Sequence, residues 1–302
     1  MDFMALTKDI VGNDNVFINE KMDKHTTFRA GGIASCLVTP ESVEALVKLV
    51  KFCKAENIPY YVIGNGSNIL VSDEGYQGLI IKIGRKMSNI TIKDNIITAE
   101  AGALMSAIGG LALRESLTGF EFAAGIPGTI GGGCVMNAGA YGGELKDVLI
   151  SVKAITPEGD ICEFSNEEME LGYRTSRFLD KNYVILEAVI GLSEGNSEDI
   201  ENKMSELARQ RREKQPLEYP NAGSTFKRPV GDFAGRLIEE AGLKGKGVGR
   251  ACVSEKHAGF VVNMGDATAM EIYDTIQMVI SEVRANSGVV LETEVRMIGN
   301  FA

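Results

Sequence analysis

The sequence predicts an α+β fold of two parts, and two observations support this prediction. Helical and strand patterns are intermixed along the 302 residues, without the strict strand–helix alternation of a doubly wound parallel sheet. A chain of this length is enough for two domains with substantial cores, and the polar segment 195–199 interrupts the pattern between a strong strand and a polar helix. We therefore predict a domain boundary at this segment, between residues 1–194 and residues 195–302.

The first part is predicted to begin with a short helix and to continue with a longer one at 39–57. Apolar residues between Val43 and Val50 recur at helical spacing, Thr39 is the expected N-cap, and Pro40 occupies the first helical position. Further elements predicted in this part are strands at 60–64, 79–83, 96–102, 148–156, 160–164 and 183–192, and helices at 103–117 and 166–171.

The second part is predicted to combine polar loops with helices and short strands. Its elements are helices at about 197–214, 231–242 and 267–288 and strands at 259–264 and 289–299. The last strand alternates apolar and polar residues, which places Glu292, Glu294 and Arg296 on one face. From the residues alone, this face is either a solvated polar surface or a functional one.

The charge of the chain argues against a nucleic-acid partner. The formal net charge is −10, whereas nucleic-acid binding draws its affinity from clustered Lys and Arg that neutralise phosphates. A local cationic run comprises Arg209, Arg211, Arg212 and Lys214. It is either the solvated C-terminal end of a helix, where cations complement the helix dipole, or a phosphate site for a small ligand.

The cysteines and the apolar pattern predict a cytoplasmic protein with no membrane insertion. Five cysteines are widely spaced, odd in number and never form a C-x-x-C pair, which argues against a disulfide scaffold or a zinc site, and we predict no metal. The N-terminal residues have no basic region followed by an apolar core, and no run of 18 apolar residues occurs.

The residues GNGSNIL at 64–70 follow a predicted strand. Such a loop offers unobstructed backbone N–H groups and short polar side chains that can hold a phosphate or a pyrophosphate, and a plain hairpin turn is the alternative. The motif is not a Rossmann fingerprint, because Ile69 stands where the third glycine would be and no helix follows directly.

A second glycine-rich stretch, AAGIPGTIGGGCVMNAGAYGGE at 123–144, has eight glycines among its 22 residues. A backbone that lies flat against a large planar ligand requires glycine, since a Cβ at the contact would hold the ligand away. Two such loops in one part of the chain favour a single dinucleotide ligand over two separate ligands.

Six motifs, in this order and spacing, resemble those of the UDP-N-acetylenolpyruvoylglucosamine reductase (UDP-N-acetylmuramate dehydrogenase) family. They are GNGSN, GIPGTIGG, NAGAYG, YRTSRF, NAGSTF and LETEVR, and the resemblance covers residues 20–299. It implies a flavoenzyme that reduces UDP-N-acetylglucosamine-enolpyruvate to UDP-N-acetylmuramate with NADPH through FAD, in peptidoglycan precursor synthesis. The small-molecule UDP-sugar is the partner that it implies, and the oligomeric state stays open.

The same resemblance implies a fold and a mode of flavin attachment. The fold is an FAD-binding module of the vanillyl-alcohol-oxidase (PCMH) type, made of two α+β subdomains at about 1–85 and 86–194, followed by an α+β substrate-binding domain. The only histidines are His25 and His257. Because the family places non-covalent contacts at the motif that contains His25, we expect the FAD to be non-covalent.

Three catalytic residues are carried over from the family. Arg174 and Glu294 are expected to stabilise the negative charge that follows hydride addition, and Ser224 is expected to donate a proton. From the residues alone, the preferred interpretation of Arg174 is an ion-pair partner of the acidic run at 167–170, and the commoner one of Ser224 is a turn or N-cap serine.

The binding residues that the resemblance implies fall into two groups. The expected FAD contacts are Gly64, Asn65, Gly66, Ser67, Asn68, Gly125, Ile126, Pro127, Gly128, Thr129, Gly131, Gly132, Asn137, Gly139 and Tyr141. The expected substrate contacts are Lys214, Lys227, Arg228 and Arg296.

The sequence departs from one branch of the family. That branch carries an inserted tyrosine-bearing loop after the YR motif, and the segment 174–191 leaves no room for it. The sequence therefore resembles the shorter, second branch, and the residue that covers the uridine group is not assigned. A sugar or lactone oxidase of the same fold and a non-catalytic nucleotide-binding protein are the two alternative functions.

Overall fold

The computed structural model describes residues 3–301 and divides into two compact units that are discontinuous in the chain. The first unit comprises the residues up to Ile18, Cys36–Asn65 and Gly78–Gln210, and the second comprises Asn19–Ser35, Gly66–Gln77 and the residues from Arg211 onwards. The domain boundary between residues 194 and 195 stays a prediction. No helix within 3–301 is long and apolar enough to cross a membrane.

Helices and strands are intermixed along the chain, as the sequence predicts, and the α+β class is confirmed. The helices are α1 Phe3–Val11, α2 Val43–Ala55, α3 Met105–Arg114, α4 Ile130–Val135, α5 Ser197–Lys214, α6 Ala234–Glu240 and α7 Ala269–Ser287. The strands are β1 Val16–Lys21, β2 Ile33–Val38, β3 Tyr60–Ile63, β4 Ile69–Val71, β5 Tyr76–Lys82, β6 Ile90–Lys93, β7 Ile96–Glu100, β8 Leu117–Thr118, β9 Gly139–Ala140, β10 Gly143–Glu144, β11 Leu149–Ile155, β12 Ile161–Ser165, β13 Val184–Gly191, β14 Ser193–Glu194, β15 Gly247–Val248, β16 Ala251–Val253, β17 Val261–Asn263 and β18 Arg296–Ile298.

The first unit is built on an antiparallel sheet of five strands in the order β12-β11-β13-β7-β6. The strand β13 reads VILEAVIG and alternates buried and half-buried residues along most of its length, which fits a strand covered on one face. A parallel pairing of β3 with β5 belongs to a sheet in the order β1-β2-β5-β3. The β-branched and aliphatic runs that predict these strands therefore form the core of the unit.

The cysteines Cys36, Cys53 and Cys134 are buried in this core as free thiols. Burial raises the pKa of the Cys53 and Cys134 thiols to about 12, so both are protonated and unreactive at neutral pH.

The second unit contains the antiparallel sheet β15-β16-β17, on which α7 packs, and the parallel pair β18-β4. The helix α7 buries Ile272, Ile276 and Val283, which recur at the helical repeat. It begins with a capping box between Thr268 and Glu271 and ends at a glycine in the left-handed conformation.

Two elements of the first unit differ from the sequence-based prediction. The N-cap of α2 is Ser42, whose side chain accepts a hydrogen bond from Ala45 N, whereas the backbone N–H of Thr39 donates to Asn15 O. The acidic segment 166–170 forms turns instead of a helix, because Glu168 bonds back to Ser165 and because Glu170 has a φ of 50°. A left-handed residue at this position ends any helix.

The end of the chain also differs from the prediction. The strand predicted over 289–299 is limited to β18, and only an isolated bridge between Phe226 and Thr293 precedes it. Because the segment is irregular, Glu292 is exposed while Glu294 is buried, so the predicted common face is wrong. The short strands β15 and β16 were not predicted from the loop at 243–249 and the residues after it.

We expect that Thr268→Ala lowers the free energy of unfolding by about 1 kcal/mol, because it removes the acceptor for Glu271 N at the start of α7. Thr268→Ser keeps that acceptor and serves as the control. Urea denaturation measures both, and equal losses for the two variants would contradict a capping role for the hydroxyl.

Candidate active site

Two glycine loops that the sequence separates by some 60 residues are in contact within the first unit. The side-chain amide of Asn65 donates a hydrogen bond of 2.6 Å to Pro127 O. A Cβ on Gly64 would lie 2.2 Å from Thr129 Oγ1, so the main chain can approach this closely only at glycine. The contact brings together residues from both predicted phosphate-binding loops.

The second loop is anchored on the segment that precedes α3. Met105 N donates to Gly128 O, and Ile130 N and Gly131 N donate to the carbonyls of Ala103 and Ala101 at 2.8 and 2.9 Å. These bonds fix the loop just before α4 begins.

Several glycines of this stretch are required by the packing of the protein itself. A Cβ would lie 2.8 Å from Ala101 Cβ at Gly131, 2.9 Å from Leu145 Cδ1 at Gly133, and 2.7 Å from the Phe122 ring at Gly143. The interpretation that the whole stretch is glycine-rich for a flat ligand is therefore too broad.

Gly132 differs from these positions. It is exposed, and the nearest atom to a Cβ built there is Thr129 Oγ1 at 3.8 Å. Asn65, Gly125 and Pro127 are exposed as well. Packing within the first unit does not explain the glycine at 132, so this position fits a ligand contact.

A tight hairpin follows α4. Its strands β9 and β10 are joined by Tyr141 and Gly142, which have φ values of 52° and 88°. Two central residues with positive φ are typical of a type I′ turn, and the Tyr141 side chain is exposed at its tip.

Asn137 is fully buried and its amide is used within the protein. Nδ2 donates to Glu144 Oε2 at 3.0 Å and to Gly172 O at 2.9 Å, and Oδ1 accepts from Lys146 N at 2.9 Å. Asn137 thus ties the hairpin to Gly172, directly before the YRTSRF segment, which is a structural role that the motif does not predict.

Arg174 lies in a turn that the bridge between Gly172 and Thr175 closes. Its φ is 54°, and its guanidinium donates to Gly139 O at 3.1 Å. Arg177 in the same segment forms an ion pair with the acidic run, at 3.3 Å from Glu170. The fold of the first unit therefore directs Arg174 to the glycine-rich segment.

The hairpin also carries a charge next to Arg174. The ion pair with Lys146, at 2.8 Å, is the main reason that the pKa of Glu144 lies below its usual value, and Arg174 lowers that pKa further. Glu144 is thus ionised at neutral pH and holds two cations at the hairpin.

In the second unit, Ser224 follows an Asx turn. Gly223 N donates to Asn221 Oδ1 at 2.9 Å, and Gly223 has a φ of 77°. Ser224 is exposed, whereas the next residue, Thr225, is fully buried. The turn presents the Ser224 side chain at the surface of this unit.

Glu294 is held close to this loop by its main chain. Glu294 N donates to Thr225 O at 2.8 Å, and Glu294 O accepts from Asn68 Nδ2 at 3.0 Å. Arg296 N in turn donates to Asn68 O at 3.0 Å. The second unit therefore brings Ser224, Glu294 and Arg296 together with Asn68, which the sequence analysis assigned to the FAD loop.

Gly66 and Ser67 of the GNGSN motif also belong to the second unit. A Cβ on Gly66, whose φ is 67°, would lie 1.9 Å from His25 O, so packing requires this glycine too. Ser67 is half-buried beside it. His25 forms a 3.0 Å contact with Glu20, which is the main reason that the pKa of Glu20 is lowered.

The predicted substrate cations have partners of their own. Lys227 Nζ lies 3.2 Å from Glu292 Oε2, and the Arg228 guanidinium lies over the ring of Phe233 at 4.7 Å. Lys214 is exposed at the C-terminal end of α5, where it complements the helix dipole. Of the cationic run, Arg209 pairs with Glu206 on its own helix.

The comparisons with known proteins cover almost the whole chain. The C-terminal domain of UDP-N-acetylenolpyruvoylglucosamine reductase matches residues 215–298, and an FAD binding domain matches residues 34–165. The UDP-N-acetylenolpyruvoylglucosamine reductase of Clostridium kluyveri is 50% identical over 99% of this chain and 98% of its own length.

Solved structures agree with these matches. The UDP-N-acetylenolpyruvylglucosamine reductase of Thermus caldophilus superposes with a TM-score of 0.80 and 35% identity, covering 93% of this chain and 98% of its own. A glucose dehydrogenase, Phl p 4.0202, has a TM-score of 0.54 at 12% identity over 65% of this chain and 45% of its own, which indicates a shared fold alone. The FAD-binding fold that the resemblance implies is confirmed.

The residues of the first unit fit FAD. Asn65, Gly125, Pro127 and Gly132 are exposed, and glycine main chain lets a planar, phosphate-bearing ligand approach closely. The individual contacts stay predictions.

We expect Gly131→Ala and Gly132→Ala to act differently, although the residues are adjacent in α4. Gly131→Ala places a methyl group 2.8 Å from Ala101 Cβ and lowers the free energy of unfolding by about 1–3 kcal/mol. Gly132→Ala leaves the stability of the apoprotein unchanged or raises it slightly, and weakens FAD binding about tenfold. Thermal unfolding and flavin titration measure the two effects, and normal FAD affinity in Gly132→Ala would remove this glycine from the FAD site.

A second prediction concerns His257 in the second unit. Its ring packs against Phe260, and Nδ1 accepts a hydrogen bond from Gly259 N at 3.1 Å, which requires the neutral imidazole. Burial lowers the pKa of His257, with a smaller contribution from Lys244, while Glu239 raises it.

Because the pKa of His257 is lower in the folded state than its usual value of about 6.5, the unfolded chain binds the proton first. We expect the free energy of unfolding to fall as the pH drops below about 6.5 and to level off below the folded-state pKa. His257→Asn keeps an acceptor that does not titrate and should flatten this part of the profile. An unchanged slope in that variant, measured by urea unfolding between pH 7.5 and 5, would assign the effect to other groups.

Proposed function

Because this chain belongs to the UDP-N-acetylenolpyruvoylglucosamine reductase family, we propose that it reduces UDP-N-acetylglucosamine-enolpyruvate to UDP-N-acetylmuramate with NADPH. It is an FAD-dependent oxidoreductase. The observation that carries the proposal is the 50% identity to a curated reductase over 99% of this chain and 98% of that protein. The proposed reaction belongs to the cytoplasmic synthesis of peptidoglycan precursors.

FAD, when bound, carries a hydride from the nicotinamide of NADPH to C3 of the enolpyruvyl group. In the proposal, Asn65, the 125–129 loop and Gly132 hold the cofactor in the first unit. The hydrogen bond from Asn65 to Pro127 O supports this assignment, because it orders both loops before the cofactor binds.

Arg174 is proposed to neutralise the charge that develops on the enolpyruvyl carboxylate when hydride adds. A planar guanidinium suits this task, and its hydrogen bond to Gly139 O limits its freedom before substrate arrives. The left-handed φ of 54° at Arg174 is a costly conformation for a residue with a side chain, and such conformations cluster at functional sites.

Glu294 is proposed to act with Arg174 on the enolate-like species. Glu294 is only 8% exposed, its main-chain N–H donates to Thr225 O, and its carbonyl accepts from the Asn68 side chain. A main chain held in this way limits the positions that the carboxyl group can reach, which favours orientation of the substrate with little reorganisation.

Ser224 is proposed to donate the proton that C2 receives, which completes the lactyl ether. A hydroxyl is a weak acid, so this role requires a strongly basic carbanionic carbon and nearby cations that stabilise the alkoxide left on Ser224. The exposed position of Ser224 after an Asx turn supports a role toward substrate rather than a helix cap.

The nucleotide end of the substrate is proposed to bind Lys214, Lys227, Arg228 and Arg296 through its phosphates. The ion pair of Lys227 with Glu292 is exposed, and such pairs contribute little free energy. Lys227 can therefore exchange this partner for a phosphate at small cost.

The test separates the two half-reactions under anaerobic conditions. We expect NADPH to bleach the flavin of the wild-type protein and the enolpyruvyl sugar nucleotide to restore its colour. Ser224→Ala should be reduced by NADPH at the wild-type rate, while its reoxidation by the substrate slows about 10²–10⁴-fold.

Ser281→Ala, which changes an exposed serine on α7, is the control and should match the wild type in both steps. Slowing of both half-reactions together in Ser224→Ala would contradict the proton-donor role. A wild-type protein whose reduced flavin reacts with oxygen but not with the enolpyruvyl nucleotide would contradict the proposed function itself.

A further inference from the structure

A buried threonine beside the proposed proton donor connects both catalytic segments of the second unit. Thr225 follows Ser224 directly and is 0% exposed. Its N–H donates to Gly259 O at 2.9 Å, and its carbonyl accepts from Glu294 N at 2.8 Å. One residue thus links the serine loop to the segment that carries Glu294.

The hydroxyl of Thr225 adds a third connection. Oγ1 accepts a hydrogen bond of 2.9 Å from Val261 N at the start of β17. Val261 is also 0% exposed, so no water can replace this acceptor if the hydroxyl is removed. The bond sets the distance between β17 and the loop that presents Ser224.

The bonds around Thr225 leave the loop little freedom. On its N-terminal side, Ser224 follows the Asx turn of Asn221 and Gly223, and on its C-terminal side the bridge between Phe226 and Thr293 continues the pairing. Glu294 is held at its other main-chain group by Asn68. A shift of Thr225 must therefore move Ser224 and Glu294 together.

We propose that Thr225 is a positioning residue for the second half-reaction, and that its hydroxyl fixes Ser224 and Glu294 in register through β17. The inference rests on the proposed function, because that function assigns the roles of the two residues. Thr225 does not touch the reacting atoms in this proposal. Small displacements of reacting groups cost large factors in rate, up to about 10²-fold for 1 Å.

The experiment compares Thr225→Val with Thr225→Ser. Valine keeps the shape of threonine and removes the hydroxyl, whereas serine keeps the hydroxyl. We expect Thr225→Val to slow flavin reoxidation by the enolpyruvyl nucleotide about 10–100-fold. Its reduction by NADPH should stay within about twofold of the wild-type rate, and Thr225→Ser should recover reoxidation to within about threefold.

A matched control exists in the same unit. Thr275 is likewise 0% exposed, and its Oγ1 accepts a hydrogen bond of 3.0 Å from Val248 N, but none of its hydrogen bonds reaches the Ser224 loop or Glu294. Thr275→Val should lower the melting temperature in the same way as Thr225→Val and leave both half-reactions unchanged.

A solvent isotope effect provides a readout that a loss of stability alone would not move. If misplacement of Ser224 slows proton delivery, the ratio of reoxidation rates in H₂O and D₂O should rise in Thr225→Val relative to the wild type and Thr275→Val. If Thr225→Val does not fold, Thr225→Ala replaces it, since alanine removes the hydroxyl without a branched side chain.

The outcomes distinguish the inference from the proposed function. A wild-type protein that reoxidises with the enolpyruvyl nucleotide, together with a Thr225→Val variant of equal rate and isotope effect, overturns the inference alone. Equal slowing in Thr225→Val and Thr275→Val also overturns it, because both would then act through stability. A wild-type protein that does not reoxidise with this nucleotide overturns the proposed function and the inference with it.

Discussion

The first unit depends on a close approach between the loop after β3 and the loop before α4. Gly64 meets Thr129, and Asn65 donates to Pro127 O at 2.6 Å. A side chain at Gly64 would separate the two loops and with them the exposed backbone that suits a planar ligand. The contact is made by protein atoms alone.

The room for a Cβ divides the glycines of the stretch 123–144 into two classes that look the same in the sequence. Gly131, Gly133 and Gly143 face protein atoms at distances that exclude a Cβ, whereas a Cβ at Gly132 would make only an ordinary contact with Thr129 Oγ1 at 3.8 Å. Glycine composition therefore predicts that the stretch is special, but it does not predict which glycine serves the fold and which serves a ligand. That distinction depends on neighbours such as Ala101 and Phe122, which no local pattern identifies.

The sequence predicted the fold well wherever a segment carries a long periodic pattern. The helix α7 and the strand β13 are examples, because their buried faces repeat over several turns or residue pairs. The prediction was wrong at 166–170, where the Glu168 side chain bonds to the nearby backbone of Ser165. It was also wrong at 289–299, where a single bridge, between Phe226 and Thr293, forms in place of a continuous strand.

For the site, the motifs identified the segments but not the bonds that hold them. Asn68 was expected at the FAD loop, and within the second unit it bonds to Glu294 O, which lies 226 residues away in the chain. Thr225 lies within the NAGSTF motif, but the motif does not reveal that its bonds run to Gly259 and Val261. Contacts of this kind are set by topology, so a reader of one sequence has no signal for them.

Cys134 lies in α4, directly after Gly131, Gly132 and Gly133, and its buried thiol has a pKa of about 12. It can react with a disulfide reagent only when α4 leaves its packing and the thiol reaches solvent. The rate of that modification therefore measures either how fast the glycine-rich segment opens or what fraction of molecules have it open. The chain thus contains an intrinsic chemical probe of local unfolding in its glycine-rich segment.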